Sequence, residues 1–274
     1  MAGSLLSRAL GIVELLGRQV GGLHLQSIAD ELEVPKSAVH RMLAELSRLG
    51  YVRKSEETGR YLLTTRLISL GFRYLAESGV QDVAQPILDD LARRTGELVR
   101  LGVVDGDSQV WVAKAQGARS GLRYDPDMGS QAQLSCTATG LAWLAALPEA
   151  EALRLVEKQG FGKLHQYGPQ APRTLAGLRE RLAQARSAGF AMVVDSSAPG
   201  TSALAATLRH PVTRRVLGTV SVAGPSVRLT EERMAALAPE LLQAAEELSA
   251  ASLGSAWLAE AGQSPAGSQR ARRK

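Results

Sequence analysis

The chain has 274 residues, of which 45% are hydrophobic and 22% are charged, a composition typical of a globular protein with two domains. Its net charge of +5 permits a polyanionic partner without proving one. Much of the positive excess lies at the C-terminus, in Arg270, Arg272, Arg273 and Lys274.

The cysteine content and the N-terminus exclude several protein classes. Cys136 is the only cysteine, so no intrachain disulfide can form, and no set of cysteines and histidines has the spacing of a zinc site. We therefore expect a cytoplasmic protein without a metal or another cofactor. Because Arg8 and Glu14 interrupt the apolar N-terminus and no long uncharged span follows, neither secretion nor a membrane partner is expected.

Apolar residues at helical spacing predict three helices at the start of the chain, over 5–16, 25–32 and 35–49. Pro35 suits the first turn of the third helix, where its missing N–H costs nothing, and Gly50 stops that helix. The order of a short helix, a tight turn and a longer amphipathic helix is typical of a helix-turn-helix.

Two short strand-like runs follow, over 51–53 and 60–63, around a polar turn that contains Gly59. They predict a β-hairpin, which would form the wing of a winged helix-turn-helix. Residues 65–76 predict a further helix. We place the DNA-binding domain at 1–64 and a linker helix at 65–80, which would carry relative motion between the two domains.

The second half mixes strands with flanking helices, which favours an α+β domain over a doubly wound sheet. Helices are predicted at 83–94, 136–147, 175–188 and 231–251, and strands at 98–104, 109–113, 190–194, 203–208 and 216–222. This domain is expected to span 81–253. Residues 254–274 are rich in Ala, Gly, Ser and Arg and are predicted to be a disordered tail.

The third predicted helix has two faces. Val39, Met42, Leu43 and Leu46 follow the i, i+3, i+4, i+7 pattern of a buried face. The opposite face would carry Lys36, Ser37, Ala38, His40, Arg41, Ala44 and Arg48. A solvated face of an ordinary amphipathic helix explains the same pattern, but the neighbouring short helix and basic hairpin favour DNA binding.

Specific contacts can be assigned to this outward face. Ser37 and Arg41 lie four residues apart near the helix N-terminus, the end that enters a major groove. Arg41 can bond guanine O6 and N7 together, which is worth about 1–3 kcal/mol of discrimination. Lys36 and Ser37 would reach phosphates, and Ala38 would offer a methyl group to thymine. The complete predicted DNA-binding set is Ser27, Lys36, Ser37, Ala38, His40, Arg41, Arg53, Lys54 and Arg60.

The stretch GGLHLQSIADELEVPKSAVHRMLAELSRLGYVRKSEETGRYLLTTRLISLG resembles the N-terminal winged helix-turn-helix of the IclR family of bacterial transcriptional regulators. LSCTATGLAWLAAL, GFAMVVDSSAPGTSALAATL and VLGTVSVAGPSVRLTEERMAALAPELLQAA resemble its effector-binding domain, so the likeness covers about residues 4–253. It implies a GAF-like α+β domain with an antiparallel sheet, which binds a small organic or aromatic acid. It also implies a homodimer or a dimer of dimers on double-stranded operator DNA, acting as repressor or activator, with contact to RNA polymerase left open.

The resemblance places the effector site on specific positions of this chain. They are Met128, Leu134, Cys136, Thr137, Ala138, Asp195, Ala203, Leu204, Ser221 and Ala223. The N-terminus of the helix that begins near Thr137 would offer free N–H groups to a carboxylate. A hydroxyl that is satisfied as a helix cap or within a strand is the alternative interpretation for Thr137 and Ser221.

The chain departs from the family pattern in both domains. His24 stands where members commonly have a Ser or Thr N-cap, and an imidazole is a poorer cap. Ala38 stands where a Thr is frequent, so one hydroxyl to DNA is missing. Val193 and Val194 replace acidic residues and Leu141 replaces a Lys, which predicts a more apolar effector site.

Two other function classes are weaker. An enzyme would use Cys136 as a nucleophile, but no base lies at a recognisable spacing, and a buried inert thiol explains the residue better. A winged helix that binds a protein instead of DNA is the third class. Strongly salt-dependent binding to one preferred duplex would argue against it.

Overall fold

A computed structural model describes residues 4–125, 128–162 and 164–262 of the chain. The chain divides into two compact units, an N-terminal unit over Met1–Glu77 and a C-terminal unit over Ser78–Lys274. No helix of the described residues is both long enough and apolar enough to cross a bilayer.

The N-terminal unit contains four helices and a two-stranded hairpin in its described part, in the predicted order. They are α1 (Leu5–Gly17), α2 (Leu25–Glu31), α3 (Lys36–Arg48), β1 (Val52–Lys54), β2 (Tyr61–Leu63) and α4 (Thr65–Glu77). β1 and β2 pair antiparallel, with Arg53 opposite Leu62. Pro35 is the N-cap of α3, one position before the first turn in which the sequence placed it.

A single apolar core holds these elements together. Val39 and Leu43 of α3 are fully buried with Ile12 of α1 and Ile28 of α2, and Val52 brings β1 into the same cluster. Leu23 pairs with Tyr61 through two backbone hydrogen bonds of 3.1 and 2.8 Å, which attaches the hairpin to the segment before α2. The orientation of α3 is therefore fixed from one side by packing.

The C-terminal unit is built around a five-stranded antiparallel sheet in the order β4-β3-β7-β6-β5. Its strands are β3 (Leu98–Asp105), β4 (Ser108–Gln116), β5 (Ala191–Val194), β6 (Thr201–Arg209) and β7 (Val216–Pro225). Its helices are α5 (Val80–Thr95), α6 (Ala138–Ala145), α7 (Glu149–Gln159), α8 (Leu175–Ala188), α9 (Glu231–Ala251) and α10 (Ala256–Glu260). The predicted α+β class is confirmed.

Both faces of this sheet are covered, because the central strands β3 and β7 are buried almost throughout. Ala191, Val193 and Ala205 share a core with α6, α7 and α8 on one face. Successive side chains of a strand point to opposite faces. Leu204 therefore lies on the other face, which α5 and α9 cover.

The sequence missed two helices. α7 was not predicted, and the expected disordered tail is wrong for residues 254–262, because these include α10. Leu258 is fully buried, and Arg215 donates hydrogen bonds of 2.9 and 2.7 Å to the carbonyls of Ala261 and Ala259. One buried leucine and these bonds anchor a segment whose composition resembles a linker. Arg270, Arg272, Arg273 and Lys274 lie outside the described residues.

The N-terminus of α2 offers a test of local stability. His24 is the N-cap, and its side chain makes no capping hydrogen bond. We expect His24→Ser to stabilise α2 by about 1 kcal/mol, since a serine oxygen accepts a bond from the first turn. Hydrogen exchange followed by mass spectrometry should then show about fivefold slower exchange of the α2 amides.

His40→Ser is the matched control for this substitution. It makes the same chemical change in the middle of α3, where no N–H group needs a cap, so the exchange of α3 should be unchanged or slightly faster. Equal protection by the two substitutions would show that the cap is not the cause.

Candidate nucleic-acid interface and ligand cavity

The outward face of α3 is exposed in the N-terminal unit. Ser37 and Arg41 are exposed on one side of the helix, whereas Val39, Met42 and Leu43 are buried on the other. Lys36 and His40 are also exposed. Ala38 differs from the prediction, because it is half-buried and packs against the core of the unit. It lies one turn before Met42, at the edge of the apolar stripe.

Two arginines of α3 have different electrostatic surroundings. Arg48 donates hydrogen bonds of 2.9 and 2.6 Å to the carboxylate of Glu45. That pairing raises the pKa of Arg48 and lowers the pKa of Glu45. Within the described ranges, Arg41 makes no ion pair. Its guanidinium is thus available to an external acceptor, whereas that of Arg48 is occupied.

The start of α3 adds backbone donors to this surface. The N-cap Pro35 has no side-chain capping bond, and its carbonyl accepts from Ala38 and Val39 at 2.9 and 3.1 Å. The N–H groups of Lys36 and Ser37 precede the hydrogen-bonding ladder of the helix. A helix start of this kind attracts a phosphate through its free N–H groups and its partial positive charge.

The hairpin carries the remaining predicted basic residues at its surface. Arg53, Lys54 and Arg60 are exposed. The ammonium of Lys54 lies 5.8 Å from the centroid of the Tyr61 ring, and the Arg60 guanidinium donates to the Gly21 carbonyl at 3.5 Å. Ser27 is exposed on α2. The predicted residues other than Ala38 therefore all lie at the surface of the N-terminal unit.

The C-terminal unit contains a cavity of about 350 Å³ between the sheet and the start of α6. It is lined by Arg100, Trp111, Tyr124, Ser130, Gln131, Gln133, Thr137, Ala138, Thr139, Tyr167, Ser197, Thr201, Ser202, Ala203, Ser221 and Ala223. Five of these residues belong to the predicted effector set: Thr137, Ala138, Ala203, Ser221 and Ala223. They come from α6, β6 and β7, which the fold brings together.

The other five predicted effector residues do not line this cavity. Leu204 is fully buried on the opposite face of the sheet, one position out of register with Ala203. Leu134 is fully buried in the core under α6, and its N–H donates to Gln159 Oε1 at 2.8 Å. Cys136 is buried, and its carbonyl accepts a hydrogen bond from Ser196 Oγ at 2.8 Å. Met128 is half-buried and does not line the cavity.

Asp195 belongs to a different cleft of about 510 Å³ along the edge strand β5. Its backbone has a φ of 48°, and its carboxylate accepts from the Gly200 N–H at 2.6 Å. Leu141, Val193 and Val194 line the same cleft. These three residues, expected to make the effector site more apolar, do not line the 350 Å³ cavity.

Two predicted hydroxyls of the cavity differ in how they are bonded. Thr137 Oγ1 donates to the Gln133 carbonyl at 2.8 Å and accepts from the Gly140 N–H at 3.0 Å, so it serves as the cap of α6. Ser221 Oγ is buried and has no partner. Ser221 is therefore the predicted hydroxyl that is free to bond a ligand.

The aromatic and cationic residues of the cavity were not among the residues predicted from the sequence. Arg100 lies in β3 with its guanidinium carbon 3.9 Å from the Trp111 ring centroid, and Tyr124 is on the segment after β4. The sequence does contain a sign of this site: Arg100 is a charged residue inside the apolar run LVRLGVV, and a charge is seldom buried without a functional or structural reason.

The segment over 118–125 is fastened beside the cavity by polar contacts. Arg228 donates two hydrogen bonds of 2.6 and 2.8 Å to the buried carboxylate of Glu97, and a third of 3.1 Å to the Leu122 carbonyl. Lys114 bonds Asp125 at 2.6 Å, which lowers the pKa of Asp125. These contacts hold Tyr124 at the edge of the cavity.

Models of known protein families match the sequence of each of the two units. The model of the IclR helix-turn-helix domain matches residues 5–56, and the model of the C-terminal domain of bacterial IclR transcriptional regulators matches residues 72–250. The chain belongs to the IclR family. As an IclR-family protein it is a DNA-binding transcriptional regulator.

Individual relatives are similar over most of their length. XynR, a transcriptional regulator of Escherichia coli K12, is 30% identical over 247 residues, which covers 89% of this chain and 95% of XynR. An IclR regulator from Alicyclobacillus acidocaldarius has a TM-score of 0.77 at 24% identity, covering 92% and 99% of the two chains. An IclR homologue from Microbacterium hydrocarbonoxydans, solved with 4-hydroxybenzoate, has a TM-score of 0.72 at 21% identity, covering 92% and 100%.

The state of Cys136 tests the enzyme alternative. Burial raises the pKa of the thiol to about 12, so the thiol stays protonated at pH 8. We expect a thiol reagent such as DTNB to react with the native protein at least 100-fold more slowly than with the urea-unfolded chain. Rapid stoichiometric reaction of the native protein would instead indicate a nucleophilic cysteine.

Proposed function

We propose that this protein is a cytoplasmic transcriptional regulator that reads its operator with α3 and changes its operator affinity when a small organic acid occupies the 350 Å³ cavity. The proposal depends most on one observation: Arg41 is exposed, lacks an ion pair among the described residues, and lies one turn after Ser37 on a helix anchored from its opposite side.

The DNA contacts follow from the placement of the donors. Arg41 would bond a guanine edge in the major groove, because its planar guanidinium matches O6 and N7. Lys36, Ser37 and the first N–H groups of α3 would hold a phosphate. The hairpin residues Arg53, Lys54 and Arg60 and the α2 residue Ser27 would contact the backbone beside it.

Exposed apolar residues of the N-terminal unit support a homodimer or a dimer of dimers. α4 has no buried residue, and Phe72 and Ile68 expose 67% and 57% of their surface. On α1, Leu5 and Leu6 expose 72% and 70%. Groups of large exposed apolar side chains, unlike single ones, commonly mark a protein–protein interface. A two-fold axis would place two copies of α3 on two half-sites about one DNA turn apart, or a multiple of that.

The effector proposal depends on the cavity and on a coupling between ligand binding and operator binding. A neighbour in the fold was solved with 4-hydroxybenzoate, which makes an aromatic acid a reasonable ligand class for this chain as well. A ligand changes operator affinity only if it binds the two states of the regulator with different affinities. The 4-hydroxybenzoate neighbour and the buried Ser221 hydroxyl support assigning that ligand to the cavity.

Substitution of Arg41 tests the DNA assignment. A duplex is first enriched from a random pool by the wild-type protein, and two symmetric half-sites are expected in it. Arg41→Ala should weaken binding to that duplex by about 10- to 100-fold, because the guanine contact is lost, while the fold measured by circular dichroism stays unchanged. Fluorescence anisotropy titration at fixed salt measures the change.

Arg48→Ala is the matched control, since it removes the same side chain from the same helix at a position already paired with Glu45. Its affinity should stay within about twofold of the wild type. Unchanged affinity of Arg41→Ala would refute the role of Arg41, and failure to enrich any duplex would refute DNA recognition by this surface.

A further inference from the structure

Arg100 is a buried cation without an internal counter-ion. It is 6% exposed, and Val99 and Leu101 on either side of it in β3 are fully buried. Glu97 is engaged by Arg228 and Asp125 by Lys114, and in the part of the chain that the structure describes no carboxylate lies within 4 Å of Arg100. A buried charge without a partner costs several kcal/mol, so a protein rarely retains one that has no use.

The surroundings of Arg100 show which part of its guanidinium is available. One face of the group stacks on Trp111, and the centroid of the Tyr124 ring lies 5.9 Å from the guanidinium carbon. Stacking covers the face of a guanidinium and leaves its N–H edge free. The Nε atom at that edge is buried and has no hydrogen-bond partner. Burial lowers the pKa of Arg100, and the charge of Tyr124, a side-chain hydrogen bond to Tyr124 and the charge of Asp125 oppose that effect, so Nε is the part of the group that is left without a partner.

A second unpartnered donor lies directly across the sheet. Ser221 of β7 is paired in register with Arg100, so both side chains leave the same face of the sheet. Its Oγ is buried and unbonded, as is the indole Nε1 of Trp111. All three residues line the 350 Å³ cavity. Donors that are unsatisfied, buried and directed to one space define a site for an acceptor.

We propose that Arg100 is the specificity-determining residue of the cavity: the carboxylate of an aromatic acid bonds the edge of Arg100 and Ser221, and the ring packs against Trp111 and Tyr124. This inference rests on the proposed function, because it takes the cavity as the effector site. A carboxylate bonds a guanidinium edge in a side-on, two-bond geometry. Ala138, Ala203 and Ala223 leave room for the ring, and Ser, Thr and Gln side chains make up most of the rest of the lining.

The test compares charged and neutral ligands of one shape. Calorimetry of the full-length protein at constant ionic strength measures benzoate, 4-hydroxybenzoate, their two amides, acetate and inorganic phosphate. The aromatic carboxylates should bind at least about tenfold more tightly than their amides, because only the carboxylate accepts two charged hydrogen bonds. Binding of amides and acids with equal affinity, preference for acetate or phosphate, or no binding of either aromatic acid would overturn the proposal.

Variants of Arg100 assign the selectivity to that residue. Arg100→Gln should weaken benzoate binding by about 10- to 100-fold and remove the preference over benzamide, and Arg100→Lys should restore part of it. Arg179→Gln, on an exposed pair with Glu149, is the control and should bind benzoate as the wild type does. Undiminished binding by Arg100→Gln would overturn the assignment.

Two further measurements keep the outcomes separable. Arg100→Met removes the unpaired charge at similar volume, so without ligand it should melt at the same temperature as the wild type or higher, and benzoate should raise the melting temperature of the wild type alone. A lower melting temperature of ligand-free Arg100→Met would show that Arg100 serves stability and would overturn the proposal.

The wild type is also titrated with its enriched duplex, with and without benzoate. Equal affinity for the duplex with and without saturating benzoate would refute the proposed effector control, whatever the ligand selectivity.

Discussion

The N-terminal unit depends on the packing of one side of α3. Val39 and Leu43 are fully buried against Ile12 and Ile28, which fixes the rotation of the helix about its axis. Because residues one turn apart share a face, that rotation also decides that Ser37 and Arg41 are outward. The same constraint turns Ala38 partly inward, although its neighbours are exposed. The DNA contacts proposed for α3 thus depend on a few aliphatic contacts on the opposite side of the helix.

The C-terminal unit contains two buried charged residues, of which one is paired within the chain and the other is not. Glu97 is satisfied within the chain by two hydrogen bonds from Arg228, which also binds the backbone of Leu122. Arg100, three residues later, has an aromatic ring under its face but no acceptor at Nε. A paired buried charge fixes a segment in place, whereas an unpaired one reserves bonding capacity for a ligand. Glu97 therefore helps to hold the wall of the cavity in place, and Arg100 is the residue that we propose binds the ligand.

The parts of the fold that repeat a simple period could be predicted from sequence. The i, i+3, i+4 pattern of Val39, Met42 and Leu43 was sufficient to place α3 and its buried side. The residues of the sheet that line the cavity were harder to predict, because side chains one position apart in a strand point to opposite faces. Ala203 lines the cavity, whereas Leu204 is buried on the other face. Asp195, predicted with the effector set, lines the cleft along β5 and not the 350 Å³ cavity, and the positive φ of its backbone is a feature that the sequence does not reveal. Arg100 could not be assigned from a motif, because it is a single charge within an apolar strand.

The most direct test of the account is a double-mutant cycle between Arg41 and the guanines of the enriched duplex. Each guanine is replaced in turn by 7-deazaguanine, which lacks the N7 acceptor but pairs normally. The account predicts one position in each half-site where the replacement weakens binding of the wild type but has no further effect on Arg41→Ala. Additive losses at every guanine would contradict it, because Arg41 would then contact no guanine edge.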